Sequence, residues 1–252
     1  MFQAFFDESA DDPREQALIM AGWVSDVTTW RSFTAAWKRV LDAAPRIDYF
    51  KHHEAMSLSE QFEGWLPLDR DKKLRELTQV VCAHRLAYGV VTTFEHDSYK
   101  SLIKGWIPPQ RQLKAIPFIK SPYPICFHTT IASVLQQQVS RGTTEQVDFV
   151  FDSRTDALKK CISQFRKAKP KIRTQAIKDI AGNASAADDK AVLPLQAADL
   201  LAGQYLATIR TNKNASYLNK LATHHTIFEN KVGPSDLVGI RAALWITGLV
   251  RE

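Results

Sequence analysis

Three acidic residues stand where carboxylates could converge on one site. The apolar-rich run over residues 2–6 ends abruptly in Asp7-Glu8-Ser9. A second such run, over 146–151, ends in Asp152-Ser153-Arg154. Asp199 lies in an apolar segment of helical periodicity, with Gln196 at i−3 and Gly203 at i+4. A core strand gains nothing structurally from a carboxylate at its end, because desolvating an unpaired charge is costly. A divalent cation supplies a reason for it. Two-metal phosphoryl hydrolysis uses carboxylates from separate elements to hold ions about 3.5–4 Å apart, and magnesium favours oxygen ligands. The pattern therefore predicts Asp7, Asp152 and Asp199 as ligands of Mg²⁺ or Mn²⁺, with two ions in the site. Taken singly, each acid has a plainer reading: Asp7-Glu8-Ser9 opens a polar turn, and Asp199 reaches solvent or caps a loop.

Other residues are candidates for the same chemistry. Glu54 follows a short apolar run over 47–50 and is the candidate fourth ligand. Glu8 adjoins Asp7, but side chains alternate along a strand, so it should point off the site. Asp188 and Asp189 lie in the segment entering the Asp199 helix, placed to close over the site. Histidine titrates near neutral pH, so His52 and His53 are candidates for proton transfer or for orienting water, against the plainer role of turn histidines. His53-Glu54 is not a zinc-protease helix motif, because Ser57 stands where the second histidine would be. Asp48-Tyr49-Phe50-Lys51 is the nearest approach to a restriction-type acid and Glu-x-Lys set, and its spacing is wrong.

The elements that must position these residues follow from periodicity. Residues 2–6 and 17–24 read as strands of an antiparallel hairpin. Asp26 is placed to cap a helix in which Trp30, Phe33, Trp37, Val40 and Leu41 share a face. A third strand is expected over 47–50, a helix over 69–84 and a strand over 86–94. A short helix over 97–104 should precede a proline-rich insertion at 105–124, where Pro122 and Pro124 argue against a regular element. Next come a helix from Phe127 closed by Gly142, the strand ending at Asp152, and a helix carrying Leu158, Ile162 and Phe165. Residues 182–189 read as a loop. Pro194 opens a helix to Arg210, and the tail from Ser235 repeats the helical spacing. Strands and helices alternating after a hairpin predict a single α/β domain over residues 1–252.

Composition narrows the class. The chain has 252 residues, 45% hydrophobic and 24% charged, the profile of an ordinary globular protein. No apolar stretch approaches the roughly 20 residues that cross a bilayer, so no membrane association is expected. The first residues lack the basic and apolar regions of a secretory signal, which predicts a cytoplasmic protein. Cys82, Cys126 and Cys161 have no paired spacing and read as reduced thiols. There is no phosphate-binding glycine loop, no dinucleotide fingerprint and no nucleophile-elbow serine. The net charge of +6 favours an anionic partner. Lys159, Lys160, Arg166, Lys167, Lys169, Lys171, Arg173 and Lys178 follow one another without an acid through Lys178. That run is either a phosphate-facing surface or the solvated side of a helix and loop.

Two motifs carry a family resemblance. Phe5-Phe6-Asp7-Glu8-Ser9 and Leu195-Gln196-Ala197-Ala198-Asp199-Leu200 resemble the opening strand and closing helix of the bacterial and phage domain-of-unknown-function family numbered 3800, which is considered related to the ribonuclease H-like superfamily. Asp152 fits that family's middle acidic position, and His53-Glu54 its less regular segment. Ala10 replaces the family's usual glycine, a change that touches the turn more than the acids. The resemblance implies a ribonuclease H-like mixed sheet with an antiparallel start, flanked by helices. It also implies metal ligands at Asp7, Asp152 and Asp199, and a setting in a phage or mobile element. The resulting expectation is a metal-dependent nuclease acting on DNA or RNA. The alternative is a non-catalytic module of the same fold that binds nucleic acid or a partner protein.

Overall fold

The computed structural model describes residues 1–10, 17–95, 121–152, 155–211 and 216–236. Its centre is a six-stranded mixed sheet in the order β5-β4-β1-β2-β3-β6. Strands β1 (Phe2–Ala10) and β2 (Ala17–Asp26) form the expected antiparallel hairpin, and β3 (Tyr88–Glu95) adds antiparallel to β2. β4 (Val147–Asp152) lies parallel to β1, β5 (Ala181–Ala187) parallel to β4, and β6 (Ile227–Val232) parallel to β3. This is the mixed α/β sheet with an antiparallel start that the sequence predicts, and helices cover both of its faces.

Alternation along β1 sorts the two cores. Ala4 and Phe6 enter one, where α4 (Pro122–Ser140), α5 (Asp156–Ala168) and α6 (Gln175–Ile180) pack. Phe5 enters the other, built with α1 (Val27–Asp42), α3 (Pro67–Ala83), α7 (Leu193–Thr211) and α8 (Ser216–His224). Trp30, Phe33, Trp37 and Leu41 are the buried stripe of α1, and Asp26 caps it by accepting from the Thr29 amide at 2.9 Å. α7 is buried at every position from Pro194 to Leu206, so it is a central helix of this layer and not an amphipathic cover.

Several elements differ from expectation for identifiable reasons. Residues 47–50 form no strand; Ile47 and Phe50 are buried as anchors of an irregular segment leading to α2 (His52–Ser57). Pro122 and Pro124 do not interrupt structure. They sit in the first turn of α4, where the missing amide hydrogens would have no helical acceptor. Residues 181–187 are a strand, not a loop: β5 is an edge strand of small residues, without the bulky alternation that marks a core strand. β6 and α8 have no counterpart among the elements expected from periodicity. The helix expected over 97–104 and the insertion up to residue 120 lie outside the described residues, as does the tail beyond Asp236.

Candidate metal centre

The parallel pairing of β1 and β4 does most of the assembly. Phe6 lies opposite Phe151, so the next residue on each strand, Asp7 and Asp152, comes side by side where β4 ends, while β1 continues to Ala10 beside β2. Phe6 and Phe151 belong to the α4–α5 core, which turns the following carboxylates toward the α7 layer. β5 continues the pattern one strand further out. Asp152 pairs with Ala187, and two residues later Asp189 is buried while Asp188 is exposed. Asp188 shapes the turn, its Oδ1 accepting from the Lys190 amide at 3.0 Å. One oxygen from each of Asp7, Asp152 and Asp189 lies within 4.8 Å of the other two, and all three residues are buried.

Lys51 enters this set. It is 4% exposed, its Nζ lies 3.4 Å from Asp152 Oδ2, and it forms a second ion pair with Asp189 Oδ2. The lysine precedes α2, and α7 fixes the backbone on both sides of it. Gln196 Oε1 accepts from the Phe50 amide at 3.1 Å, and Asp199 Oδ2 accepts from the His52 amide at 2.6 Å. Gln196 also accepts from Trp37 Nε1 at 2.9 Å and donates to the Asp189 carbonyl at 2.8 Å. One side chain therefore ties α1, the segment before α2 and the loop carrying Asp189.

The predicted residues fall in different places. Asp7 and Asp152 come together. Asp199 is buried beside them in the layer, with one oxygen committed to the start of α2, and it is not one of the three clustered carboxylates. Glu54 is buried on α2, with Oε1 accepting from the Tyr49 hydroxyl at 3.3 Å; it too lies outside the cluster. Burial raises its carboxyl above the ordinary value. Glu8 has its amide on Asp7 Oδ1 at 2.8 Å. His53 is exposed. His52 is buried, and burial lowers its ring below the usual histidine range. Gln204 Nε2 donates to its Nε2 at 3.0 Å. Gly203 explains itself here: a Cβ would stand 2.2 Å from the His52 ring, so the ring can lie on α7 only over a glycine.

A cleft of about 880 Å³ is lined by Glu8, which sequence alternation pointed off the site, and by His52, His53, Asp199, Gly203 and Arg210; Asp7, Asp152 and Asp189 are not among its lining residues. The basic run lies elsewhere. Lys159, Lys160, Arg166, Lys167, Lys171 and Arg173 are exposed on α5 and the segment after it, with Lys169 half-buried. Arg166, Lys169 and Lys178 share a recess with Gln146, at the amino end of β4. Asp152 is at the other end of that strand, about 17 Å away at 3.3 Å per residue.

No family model matches this chain, and no curated protein matches it. Solved structures similar to it at low identity include the following two. The crystal structure of Bst-RNase HIII in complex with Mn²⁺ aligns over 95% of this chain and 70% of that one, with 12% identity and a TM-score of 0.43. The PCNA:RNase HII complex from Archaeoglobus fulgidus aligns over 100% and 92%, with 9% identity and a TM-score of 0.37.

The residues suit a hard divalent cation. Around one ion at about 2.1 Å, ligand oxygens are separated by roughly 3 to 4.2 Å. A carboxylate trio within 4.8 Å needs little closure to reach that. Asp189 and Lys51 are the functional candidates that sequence reading did not assign. Parity with Ala187 would have selected Asp189 over Asp188, had β5 been legible as a strand. Lys51 carried no signal, since its partners are 101 residues and more away.

Two outcomes follow. Gln196→Leu should cost on the order of 3 kcal/mol or more, read by urea denaturation, because three partners lose a buried bond. For Glu54, burial holds the folded pKa above the unfolded one, so its charged form opposes folding at neutral pH. That penalty disappears as pH falls through the folded pKa. Glu54→Gln should therefore be at least as stable as the parent at neutral pH, with the gap narrowing on acidification in thermal melts.

Proposed function

We propose that this chain is a divalent-metal-dependent nuclease that hydrolyses phosphodiester bonds of DNA or RNA. The observation that carries this reading is the buried trio Asp7, Asp152 and Asp189, brought together by three adjacent parallel strands, with Asp7 within β1, Asp152 at the end of β4 and Asp189 just past β5. These carboxylates would hold Mg²⁺ or Mn²⁺, which when bound lowers the pKa of a coordinated water and offsets charge on the phosphate. Asp199, expected from sequence as a ligand, acts in this reading from the cleft side while its Oδ2 fixes the start of α2.

The rest of the chain's contribution is positioning and proton handling. His53 stands exposed on the cleft wall, where it can exchange a proton with a substrate oxygen or with solvent. Arg210 adds a cation to the same wall. Glu54 supports α2 beside Tyr49 in place of the ligand role that its sequence position suggests. Arg166, Lys169 and Lys178, at the amino end of β4, would meet phosphates about five nucleotides from the scissile one, taking about 3.4 Å per nucleotide. The likeness to domain-of-unknown-function family 3800 rests on the two sequence motifs and agrees with this reading.

A second reading has one observation in its favour. Lys51 is a built-in positive charge against Asp152 and Asp189, which a non-catalytic nucleic-acid-binding module could keep in place of a metal. Calorimetric titration with Mg²⁺ separates the two, since such a module need take up no metal through Asp7.

Asp7→Asn and Asp152→Asn should each lower metal-dependent cleavage of a mixed DNA and RNA substrate panel by a hundredfold or more, with unchanged circular dichroism. Retained cleavage in both would overturn the assignment. Replacing Arg166, Lys169 and Lys171 together by Ala should weaken nucleic-acid binding and flatten its dependence on salt concentration. The slope should fall by about 0.7 to 0.9 for each phosphate that is no longer neutralised, measured by fluorescence anisotropy.

A further inference from the structure

We infer that the groove between α4 and the α5–α6 segment takes an unstacked base of a single-stranded nucleic acid, with that nucleotide's phosphate in the adjoining basic recess. Resting on the nucleic-acid reading above, this adds the form of the strand and a contact that phosphates cannot make. The groove has a volume of about 420 Å³, within the range of sites that enclose small organic groups. Ile131 and Leu135 of α4 line it from one side, and Phe165, Ile172 and Ile177 from the other.

Lys169 joins groove and recess. It lines the groove, and it also lines the recess of about 450 Å³ that holds Arg166 and Lys178. Asp179 is on that recess too, with its Oδ1 accepting from Gln175 Nε2 at 2.6 Å. An apolar hollow beside a set of cations suits a ligand in which a flat ring and an anion are neighbours, and a nucleotide is such a ligand. An alkyl carboxylate would bring one charge to the recess, whereas a strand brings successive phosphates. In a duplex, only phosphates, sugars and base edges reach a protein. A groove with apolar walls therefore meets a whole base only where that base has left the stack.

Polar groups along one wall favour a base over a purely apolar occupant. His128, Ala132 and Gln136 stand at i, i+4 and i+8 on α4 and line the groove, over about 12 Å at 1.5 Å per residue. Burial lowers the His128 ring below the usual histidine range. Mainly uncharged at neutral pH, the ring offers one donor and one acceptor, and the Gln136 amide offers both as well. An acidic protein segment could use the same cations. It would set apolar anchors against His128 and Gln136, where a base sets hydrogen-bonding groups, and burying polar groups without partners is costly.

The test is fluorescence anisotropy of the full chain, in chelator so that no cleavage occurs, on the parent, Ile172→Ser and Ala132→Trp. Ile172 is half-buried at the groove, and Ala132 is exposed, so a tryptophan there plugs the groove from a helix surface. The probes are an oligodeoxyadenylate about twelve nucleotides long, the same backbone with abasic sugars throughout, the matching duplex, and an acidic leucine–glutamate peptide. The parent should bind the single strand about tenfold more tightly than the abasic strand, the gain expected from housing one base, and more tightly than the duplex. Both variants should bind the single strand only as well as the parent binds the abasic one, with affinity for the abasic strand unchanged. Equal affinity of the parent for the base-bearing and abasic strands would overturn the inference and leave the nuclease reading and the basic recess standing. So would variants that keep the parent's preference for bases. Tighter binding of the peptide than of the strand, lost in both variants, would give the groove to a protein partner and overturn it too. No binding of any nucleic acid would overturn the nucleic-acid reading and the inference with it. Should Ile172→Ser fail to fold, Ala132→Trp and the parent's abasic comparison decide.

Discussion

Holding three carboxylates together out of water is the constraint around which this molecule is arranged. Like charges within a few ångströms repel, and each also loses its hydration. Asp7, Asp152 and Asp189 are nevertheless all buried with oxygens within 4.8 Å of one another. A fold tolerates this only if compensating charge is built in or bound. Lys51 supplies part of it from inside the chain. The three carboxylates are matched in chemistry to a hard cation, and the proposed nuclease function rests on that match.

Keeping the acids in place falls to α7. Its burial on all sides is unusual for a helix carrying a glutamine, an aspartate and a second glutamine along one turn after another. Gln196 bonds Trp37, Phe50 and Asp189, Asp199 bonds His52, and Gln204 bonds the His52 ring through its Nε2 alone, its Oε1 being buried without a partner among the described residues. Buried polar groups cost stability unless satisfied, and satisfied ones specify a unique arrangement. Gly203 completes the device by letting the imidazole rest on the helix. The Leu-Gln-Ala-Ala-Asp-Leu motif is thus, first of all, a clamp on residues 50–52 and on the loop bearing Asp189.

This division also separates the two ends of the sheet. The clustered acids lie toward the carboxyl ends of β1 and β4, and Arg166, Lys169 and Lys178 gather at the amino end of β4. A substrate touching both must extend along the sheet for the length of a strand, which a polymer does and a small phosphoester does not.

What the sequence determined by itself were the features carried by neighbours in the chain. The hairpin of β1 and β2, the capped and aromatic-striped α1, the strand delivering Asp152 and the helix bearing Asp199 all announce themselves through periodicity and local caps. So do Asp7 and Asp152 as a matched pair, because an apolar run that stops at an acid is a local pattern. Only the tertiary structure decided the remainder. β5 is an edge strand of alanine, glycine and serine, so its strand character comes from pairing with β4 and not from its own residues. Residues 47–50 are apolar because they anchor a segment under α7, and the same composition would suit a strand. Asp189, Lys51 and the turned-aside oxygen of Asp199 take their positions from bonds to residues 100 or more places distant, apart from the link between Gln196 and Asp189. Local spacing holds no record of such contacts, because they come into being only when α7 closes over the sheet.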